Sequence, residues 1–300
     1  MIAVCGEALV DLLPTGPDSY RAAPGGSPAN TAVALARLGT PVALLARLSG
    51  DGFGALLRRH LADNGVDLAA AVAAAEPSSL AIVSRDASGA ASYRFVMDGT
   101  ADWQWTDDEL ALPEGAVAVH TGSLALAKAP AVERFLLRAR ASATVSVDPN
   151  LRPALLTSLD DARRDVERWV ALADVFKASS EDLALLHPGE DPLRVARSWR
   201  DRGAAVVVVT GGADGAHVLV GDEVLHAPGR RVDVVDTVGA GDTFTAGFLS
   251  VLHARGLLGG RLDAVTPDDA RAALDVGLRA AAVTCSRPGA DPPRADELPD

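Results

Sequence analysis

The most informative segment of the chain is residues 236–248, which read DTVGAGDTFTAGF. The small residues Gly-Ala-Gly at 239–241 let the backbone approach a ligand closely at this turn. The turn runs into a predicted helix over 241–254, whose first backbone amides have no partner inside the helix. Such amides, together with the helix dipole, attract negative charge. The segment therefore predicts an anion-binding turn that is followed at once by a carboxylate, Asp242.

A second glycine-rich turn lies near the start of the chain, at residues 24–39, which read PGGSPANTAVALARLG. A helix is predicted over 28–38, with Asn30 in its first turn, where the side-chain amide can donate and accept hydrogen bonds with a polyhydroxylated ligand. The alternative is structural, with Ser27 capping the helix and Asn30 facing solvent. Either turn alone is weak support for a ligand site, and the combination of the two is more specific.

Short apolar runs alternate with segments of helical period along almost the whole chain. This alternation is typical of βαβ units that feed a mostly parallel sheet, so it predicts an α/β fold. The run AVVVVT at 205–210 predicts a strand that is buried on both faces. Further strands are predicted at 2–5, 42–46, 116–120, 144–147 and 174–177, and further helices at 54–63, 131–141, 160–172, 192–202 and 267–284.

One part of the chain breaks this alternation. Residues 79–84 and 92–97 flank a predicted turn at 86–89 with no helix between them, so they predict a β-hairpin. Residues 9–13 predict a further short strand beside it. We expect these strands to form a small lid over a site at the edge of the sheet.

Composition excludes several classes of protein. The chain has 300 residues, of which 48% are hydrophobic and 23% charged, which argues against a disordered chain or a coiled coil. Its formal net charge of -12 makes nucleic acids and membrane surfaces poor partners. Cys5 and Cys285 lie far apart, and no two histidines have ligand spacing, so no cysteine or histidine metal site is expected. The chain has neither a Walker A motif nor a dinucleotide fingerprint.

The two glycine-rich segments resemble the two signature motifs of the ribokinase-like (PfkB) carbohydrate kinases. Other segments resemble the same family in the same order: Gly6-Glu7 with Asp11, then 50–54 (GDGFG), 148–152 (DPNLR), 210–215 (TGGADG) and 285–290 (CSRPGA). The resemblance covers nearly the whole chain and is closest to the fructokinase and 2-keto-3-deoxygluconate kinase branch. It implies a single domain over 1–300 with a three-layer ribokinase-like α/β fold, a mostly parallel central sheet, and a β-strand lid from about 9–24 and 78–105.

The resemblance implies an ATP-dependent sugar kinase that transfers the γ-phosphoryl group to a primary hydroxyl of a small carbohydrate, with fructose as the first choice. Ketodeoxygluconate, ribose and nucleosides are alternative substrates within the family. A non-catalytic sugar-sensing homologue is a further alternative, which the intact glycines and Asp242 disfavour. A dinucleotide oxidoreductase is disfavoured by the missing fingerprint. The implied cofactors are ATP and Mg²⁺, with a monovalent cation, K⁺, as a further candidate.

By the same resemblance, each motif acquires a role. Asp242 is the catalytic base, and Gly239, Ala240 and Gly241 form the anion hole. The sugar is bound by Asp11, Gly25, Gly26, Asn30 and Arg152, and the nucleotide by Ser179, Thr210, Gly212, Gly215, Gly239 and Gly241. Phosphoryl transfer needs mainly positioning and charge neutralisation, which agrees with these assignments. The helix dipole is expected to lower the pKa of Asp242 and to make it a weak base, which is sufficient if the hydroxyl proton leaves late.

The chain departs from the family at residues 177–182, which read KASSED where the family has N-x-x-E. Ser179 takes the place of the asparagine. Asp182 takes the place of the glutamate, with Glu181 adjacent, and either acid is a candidate to act on Mg²⁺ through water. A solvated helix start is the structural alternative for this pair.

The lid also departs from the family, because Met97 stands where an arginine is expected. The missing arginine makes a substrate with a carboxylate less expected, although Arg152 or Arg94 could still bind an acid. Arg94 could equally point to water. Trp103 and Trp105 are spaced to face the same way if the segment is extended, and they would then either stack on a sugar or pack against the core.

Location and assembly follow from weaker signals. No positively charged segment precedes the apolar start, and Glu7 and Asp11 interrupt it, so a cytoplasmic protein is expected. The resemblance implies a homodimer formed through the lid. The expected ligands are a sugar and ATP.

Overall fold

The computed structural model describes residues 1–16, 18–85 and 91–298. Its strands are β1 (Ile2–Cys5), β2 (Leu9–Gly16), β3 (Ser19–Gly25), β4 (Val42–Leu45), β5 (Arg47–Ser49), β6 (Val72–Ala74), β7 (Leu80–Arg85), β8 (Ala91–Val96), β9 (Ala118–Gly122), β10 (Thr144–Asp148), β11 (Val175–Ser179), β12 (Val206–Thr210), β13 (Ala216–Val220) and β14 (Glu223–Ala227). Its α-helices are α1 (Ser27–Arg37), α2 (Gly52–Asp63), α3 (Ser123–Lys128), α4 (Pro130–Ala139), α5 (Leu159–Leu172), α6 (Ser180–Leu186), α7 (Pro192–Asp201), α8 (Ala240–Ala254) and α9 (Pro267–Cys285).

A sheet of eight strands forms the centre, in the order β14-β13-β12-β11-β10-β9-β1-β4. The six strands from β12 to β4 are parallel, and β13 and β14 add an antiparallel edge. Helices on both faces make two cores: one joins α1, α8 and α9 to the sheet, and the other joins α4, α5 and α7 to the opposite face. This is the predicted three-layer α/β fold.

The predicted strands and helices of these layers agree with the observed ones to within two residues at each end. The elements that were not predicted are β3, β5, β6, the β13–β14 hairpin, and the short helices α3 and α6. A single domain over 1–300 stays a prediction.

A separate four-stranded sheet, in the order β3-β2-β7-β8, forms the lid. The predicted hairpin is present as the antiparallel pair β7–β8, and β2 pairs with β7 in parallel and with β3 in antiparallel fashion. The predicted turn at 86–89 lies outside the described residues. The lid strands connect directly to β1 and α1, which places the lid beside the carboxyl edge of the central sheet.

The closely packed pair α8–α9 positions the anion-binding turn. A Cβ atom on Gly247 would lie 2.9 Å from the Cα of Gly277, so only glycine lets the two backbones approach this closely. The first turn of α8 then lies at the carboxyl ends of the parallel strands, where ligands bind in open α/β sheets. Within the described ranges, no helix combines the length and the apolar character needed to span a bilayer.

Candidate active site

A cleft of about 1590 Å³ opens at the carboxyl edge of the sheet, between the start of α8 and the lid. Its wall contains these predicted site residues: Asp11, Gly26, Asn30, Arg152, Ser179, Glu181, Asp182, Thr210, Gly212, Gly215, Gly239, Ala240, Gly241 and Asp242. Gly25 is buried behind this wall, where a Cβ atom would lie 2.3 Å from Oδ2 of Asp11. The structure therefore brings motifs from both ends of the chain to one cavity.

Asp242, in the first turn of α8, is held by two donors on α1. The Ser27 hydroxyl donates to Oδ1 at 2.6 Å, and the Asn30 side-chain amide donates to Oδ2 at 2.9 Å. The structural alternative for Ser27 and Asn30 is wrong, because Gly26 is the N-cap of α1 and Ser27 makes no capping bond. Ser27 was not among the predicted site residues. Its chemistry was visible in the motif, but its partner lies 215 residues away.

The pKa expected for Asp242 is corrected by its burial. Its side chain is 7% exposed, and burial raises the pKa of the carboxyl above its usual value. The hydrogen bonds from Ser27 and Asn30 and the positive charge of Lys177 offset part of this rise, whereas the charge of Asp148 adds to it. The expected lowering by the helix dipole is therefore wrong in direction, which makes Asp242 a stronger base than the sequence predicted.

Lys177 is a second residue that the sequence analysis missed as part of the site. This lysine is the middle residue of β11, is buried, and donates to Oδ2 of Asp148 at 2.5 Å. Burial lowers the pKa of Lys177, but Asp148, Asp182 and Asp242 together raise it above the usual value, so the lysine is charged. A lysine inside a predicted buried strand was the available signal, since buried lysines are almost always paired.

The geometry of the predicted anion-binding turn requires glycine at position 239. Gly239 has φ +76°, and a Cβ atom there would lie 2.6 Å from the Cβ of Ala290. A Cβ atom on Gly241 would lie 3.4 Å from Nζ of Lys177. The backbone at the start of α8 thus lies close to a buried positive charge, and the helix dipole points the same way. This combination can neutralise an anion such as a phosphoryl group.

The lid side of the cleft carries Asp11, on β2. Burial raises the pKa of Asp11 to about 6, and the positive charge of Arg152 opposes this rise. Arg152 extends from the loop after β10 and donates to the carbonyl of Asn150 at 3.0 Å. A carboxylate and a guanidinium facing one cavity can accept from and donate to the hydroxyls of a sugar.

The opposite end of the cleft is built differently. The segment 229–239 lines it with exposed valines, of which Val234 is 64% exposed. Few hydrogen bonds fix the end of this segment: Val235 donates to the carbonyl of Cys285 at 2.8 Å, and Gly289 donates to Asp236 at 2.9 Å. Thr210, Gly212 and Gly215 lie at the sheet edge beside it. This end offers apolar surface and backbone, and the exposed Arg230 and Arg231 add positive charge to its wall.

The two candidate metal acids differ in their environment. Asp182 is buried in a capping box: Oδ2 accepts from the backbone and hydroxyl of Ser179, and Oδ1 accepts from Leu151 at 2.9 Å. Glu181 is exposed at the cleft wall. No group of three or more metal-ligating side chains is present among the described residues. A cation here would therefore share its ligands with a bound phosphate or with water.

The lid residues that depart from the family do not add charge to the cleft. Arg94 is exposed and is absent from the cleft wall, in agreement with its alternative of pointing to water. Trp105 is buried in the core cluster that contains Phe135, so packing is the correct interpretation for this tryptophan. Met97 is half-buried.

Comparisons with known proteins identify the family of the chain. The family model of the pfkB family carbohydrate kinases matches residues 1–297. The fructokinase of Rhizobium leguminosarum bv. trifolii is 38% identical over 266 residues, which cover 86% of this chain and 81% of the relative. Fold, site and sequence together define a kinase of small carbohydrates. The chain belongs to the pfkB family of carbohydrate kinases.

Solved structures extend the likeness to the whole fold. The ATP-bound fructokinase of Xylella fastidiosa superposes with a TM-score of 0.87 at 29% identity, covering 96% of this chain and 93% of that one. A double mutant of the fructokinase of Vibrio cholerae O395, bound to fructose, ADP and potassium ion, gives 0.85 at 29% identity with the same coverage. The predicted ribokinase-like fold and ATP-dependent sugar kinase activity are confirmed.

Proposed function

We propose that this kinase transfers the γ-phosphoryl group of ATP to a primary hydroxyl of fructose. The observation that carries the proposal is the buried Asp242 carboxylate, held between two donors of α1 at the start of α8. The related fructokinases named above support fructose as the sugar. Ketodeoxygluconate is less well supported, because Met97 replaces the expected lid arginine and Arg94 does not line the cleft, which leaves Arg152 as the candidate partner for an acid.

Asp242 acts on the attacking hydroxyl. Its free lone pairs accept the hydroxyl proton and aim the oxygen at the γ-phosphorus. The new bond joins the sugar oxygen to the γ-phosphorus, the bond from this phosphorus to the bridging oxygen breaks, and ADP leaves with that electron pair. The proton passes to Asp242 and then to solvent. A raised pKa suits this role, since the ionised carboxyl is then a better proton acceptor.

The sugar is held by groups on both sides of Asp242. Asp11 accepts from its hydroxyls, while Asn30 and Arg152 donate to them. Gly25 leaves space for the Asp11 side chain, and Gly26, with φ +101°, brings the backbone to the cleft wall. Hydrogen-bonding sites of this kind reject sugars whose hydroxyls are misplaced, because the buried polar groups are then left unpaired.

The nucleotide extends from the start of α8, beside Asp242, to the end of the cleft that segment 229–239 lines. The backbone at Gly239, Ala240 and Gly241 receives the transferred phosphoryl group, and the buried Lys177 adds positive charge near it. Ser179, Thr210, Gly212 and Gly215 border the phosphates, and the valines of segment 229–239 flank the base.

The donor set at this end suits Mg²⁺, which prefers oxygen ligands and keeps most of its water. Glu181, exposed at the cleft, is the better candidate to hold it through water, whereas both oxygens of Asp182 already accept hydrogen bonds and orient Ser179. When bound with ATP, Mg²⁺ supplies charge neutralisation on the phosphates. K⁺ activation, a cytoplasmic location and a homodimer complete the proposal. The exposed Tyr20, Tyr93 and Val96 on the lid support the dimer.

The test is ADP release with Mg-ATP over a panel of fructose, tagatose, ribose, ketodeoxygluconate and nucleosides. Fructose should give the highest kcat/KM. Asp242→Asn should reduce kcat by about two to four decades, the range for a positioned general base. Asp201→Asn, which changes an exposed aspartate at the end of α7, is the matched control. A better sugar than fructose would overturn the substrate, and no ADP release on any sugar would overturn the kinase reaction.

A further inference from the structure

Ser27 occupies an unusual place for a serine at the start of a helix. Gly26 is the N-cap of α1, and the Ser27 side chain makes no bond to its own helix. It crosses to α8 instead and donates to Oδ1 of Asp242 at 2.6 Å, a short distance typical of a hydrogen bond to a charged group. The Ser27 side chain is almost completely buried.

The backbone around Ser27 is fixed by its neighbours. Gly26 has φ +101°, and a Cβ atom there would lie 2.6 Å from the carbonyl oxygen of Glu7. Pro28 follows and restricts the backbone further. The serine hydroxyl is therefore presented to Asp242 from a rigid turn, which favours a defined direction for the carboxylate.

We propose that Ser27 is a positioning residue for the catalytic base, which keeps the Asp242 carboxylate ionised and aimed at the sugar hydroxyl. This inference rests on the proposed function. Ser27 differs from Asn30, which is less buried and which we place in contact with the sugar. The single hydroxyl hydrogen of Ser27 is committed to Asp242, and the carboxylate oxygen that accepts it keeps a further lone pair for the substrate.

The charges around Asp242 define what Ser27 must counter. Burial raises the pKa of Asp242, and the negative charge of Asp148, at the end of β10, raises it further. Lys177 on β11 lowers it, as do the two donors on α1. On α9, Thr284 donates to the neighbouring Thr243 and carries no charge. Removing the Ser27 donor therefore shifts the balance toward the protonated carboxyl.

The experiment compares Ser27→Ala with Thr31→Val, one turn along the same helix. Thr31 is fully buried, and its hydroxyl has no hydrogen-bond partner in the described part of the chain, so Thr31→Val removes a buried hydroxyl without touching Asp242. Two quantities are measured: the pH profile of kcat with Mg-ATP and fructose, and the titration of the Asp242 carboxyl by ¹³C NMR in aspartate-labelled protein. The NMR signal is assigned with Asp242→Asn.

We expect Ser27→Ala to raise the pKa of Asp242 and the acid limb of kcat by about one unit, since a hydrogen bond to a charged group changes an equilibrium by roughly tenfold or more. On the acid side of this limb, kcat at a given pH should fall by about tenfold while KM for fructose changes by less than about twofold, which marks a group that acts on the reacting step. Thr31→Val should leave both titrations unchanged.

An Asp242 titration in Ser27→Ala that matches the wild type would overturn the inference. Ser27→Cys provides a second variant of similar size with a weaker donor, so it should raise the pKa of Asp242 by less than Ser27→Ala does. An unchanged pKa of Asp242 in Ser27→Cys would also contradict the inference. Failure of the proposed function is a separate result. It appears as no ADP release by the wild type on any sugar, while the NMR titration still reports whether Ser27 acts on Asp242.

Discussion

The two ends of the cleft are built on different principles. At the end that holds Asp242, the charged groups are buried and hydrogen-bonded: Ser27 donates to Asp242, and Lys177 donates to Asp148. At the other end, residues 230–235 are all exposed. At the first end, the polar groups are arranged before any ligand binds. The free-energy cost of burying and ordering them is therefore part of the folding free energy. The second end gains most of its contacts from the ligand. Substitutions should therefore affect stability at the buried end and nucleotide binding at the exposed end.

The largest effect is expected from Lys177→Met. This change leaves Asp148 and Asp242 buried without their positive partner, and breaking a buried pair in this way costs about 3–5 kcal/mol. The free energy of unfolding, measured by urea denaturation, should fall by that amount. Lys128→Met changes the other lysine of the chain, which is exposed, and should alter the free energy by less than about 0.5 kcal/mol. If the two variants lost equal free energy of unfolding, the buried pair at Lys177 would not contribute specially to stability, and this prediction would be wrong.

A smaller effect, on catalysis with ATP, is expected from Gly239→Ala. The added Cβ would collide with Ala290, so the anion-binding turn has to move, and kcat/KM for ATP should fall by roughly 10- to 100-fold, less than for complete loss of a transition-state donor. Gly256→Ala is the control at the other end of α8. Gly256 also has positive φ, but a Cβ atom there meets nothing within 4 Å. Both variants should lose some stability, and only Gly239→Ala should lose activity. Similar activities would show that the turn tolerates displacement.

The smallest effect concerns pH and Asp11. Its pKa is raised to about 6 in the folded protein, so the carboxylate that accepts from the sugar is lost as the pH falls through about 6. KM for fructose should then rise by up to about tenfold below that pH, because a hydrogen bond to a charged group is replaced by one to a neutral group. KM for ATP should stay nearly constant. In Asp11→Asn, the KM for fructose should be high at every pH. A KM for fructose that still varied with pH in this variant would assign the titration to another group.

Much of the fold was predictable because parallel strands buried on both faces carry continuous apolar runs such as AVVVVT. The β13–β14 hairpin was missed because the edge strand β14 is largely exposed and carries a weaker apolar pattern. β3 was missed because it contains Pro24 and Gly25, residues that usually mark the end of a strand.

The site was predictable as a set of motifs but not as a network. Local sequence spacing identifies the glycine turns and Asp242, whereas the contact of Ser27 with Asp242 depends on how α1 packs against α8. The predicted direction of the pKa shift of Asp242 was wrong for the same reason. A helix start can be recognised in the sequence, but the burial that outweighs the helix dipole cannot. Assigning Lys177 to the site required knowing that Asp148 lies beside it on the neighbouring strand.

The separation of 215 positions between Ser27 and Asp242 also matters during biosynthesis. At roughly 5–20 residues per second, the ribosome needs about 10–40 s to make the segment that separates the donor from its acceptor. Throughout that time α1 has been synthesised but α8 has not. The growing chain therefore contains the donor Ser27 but not the base Asp242. Phosphoryl transfer is thus a property that the polypeptide acquires late in its synthesis, after most of the sheet has been made.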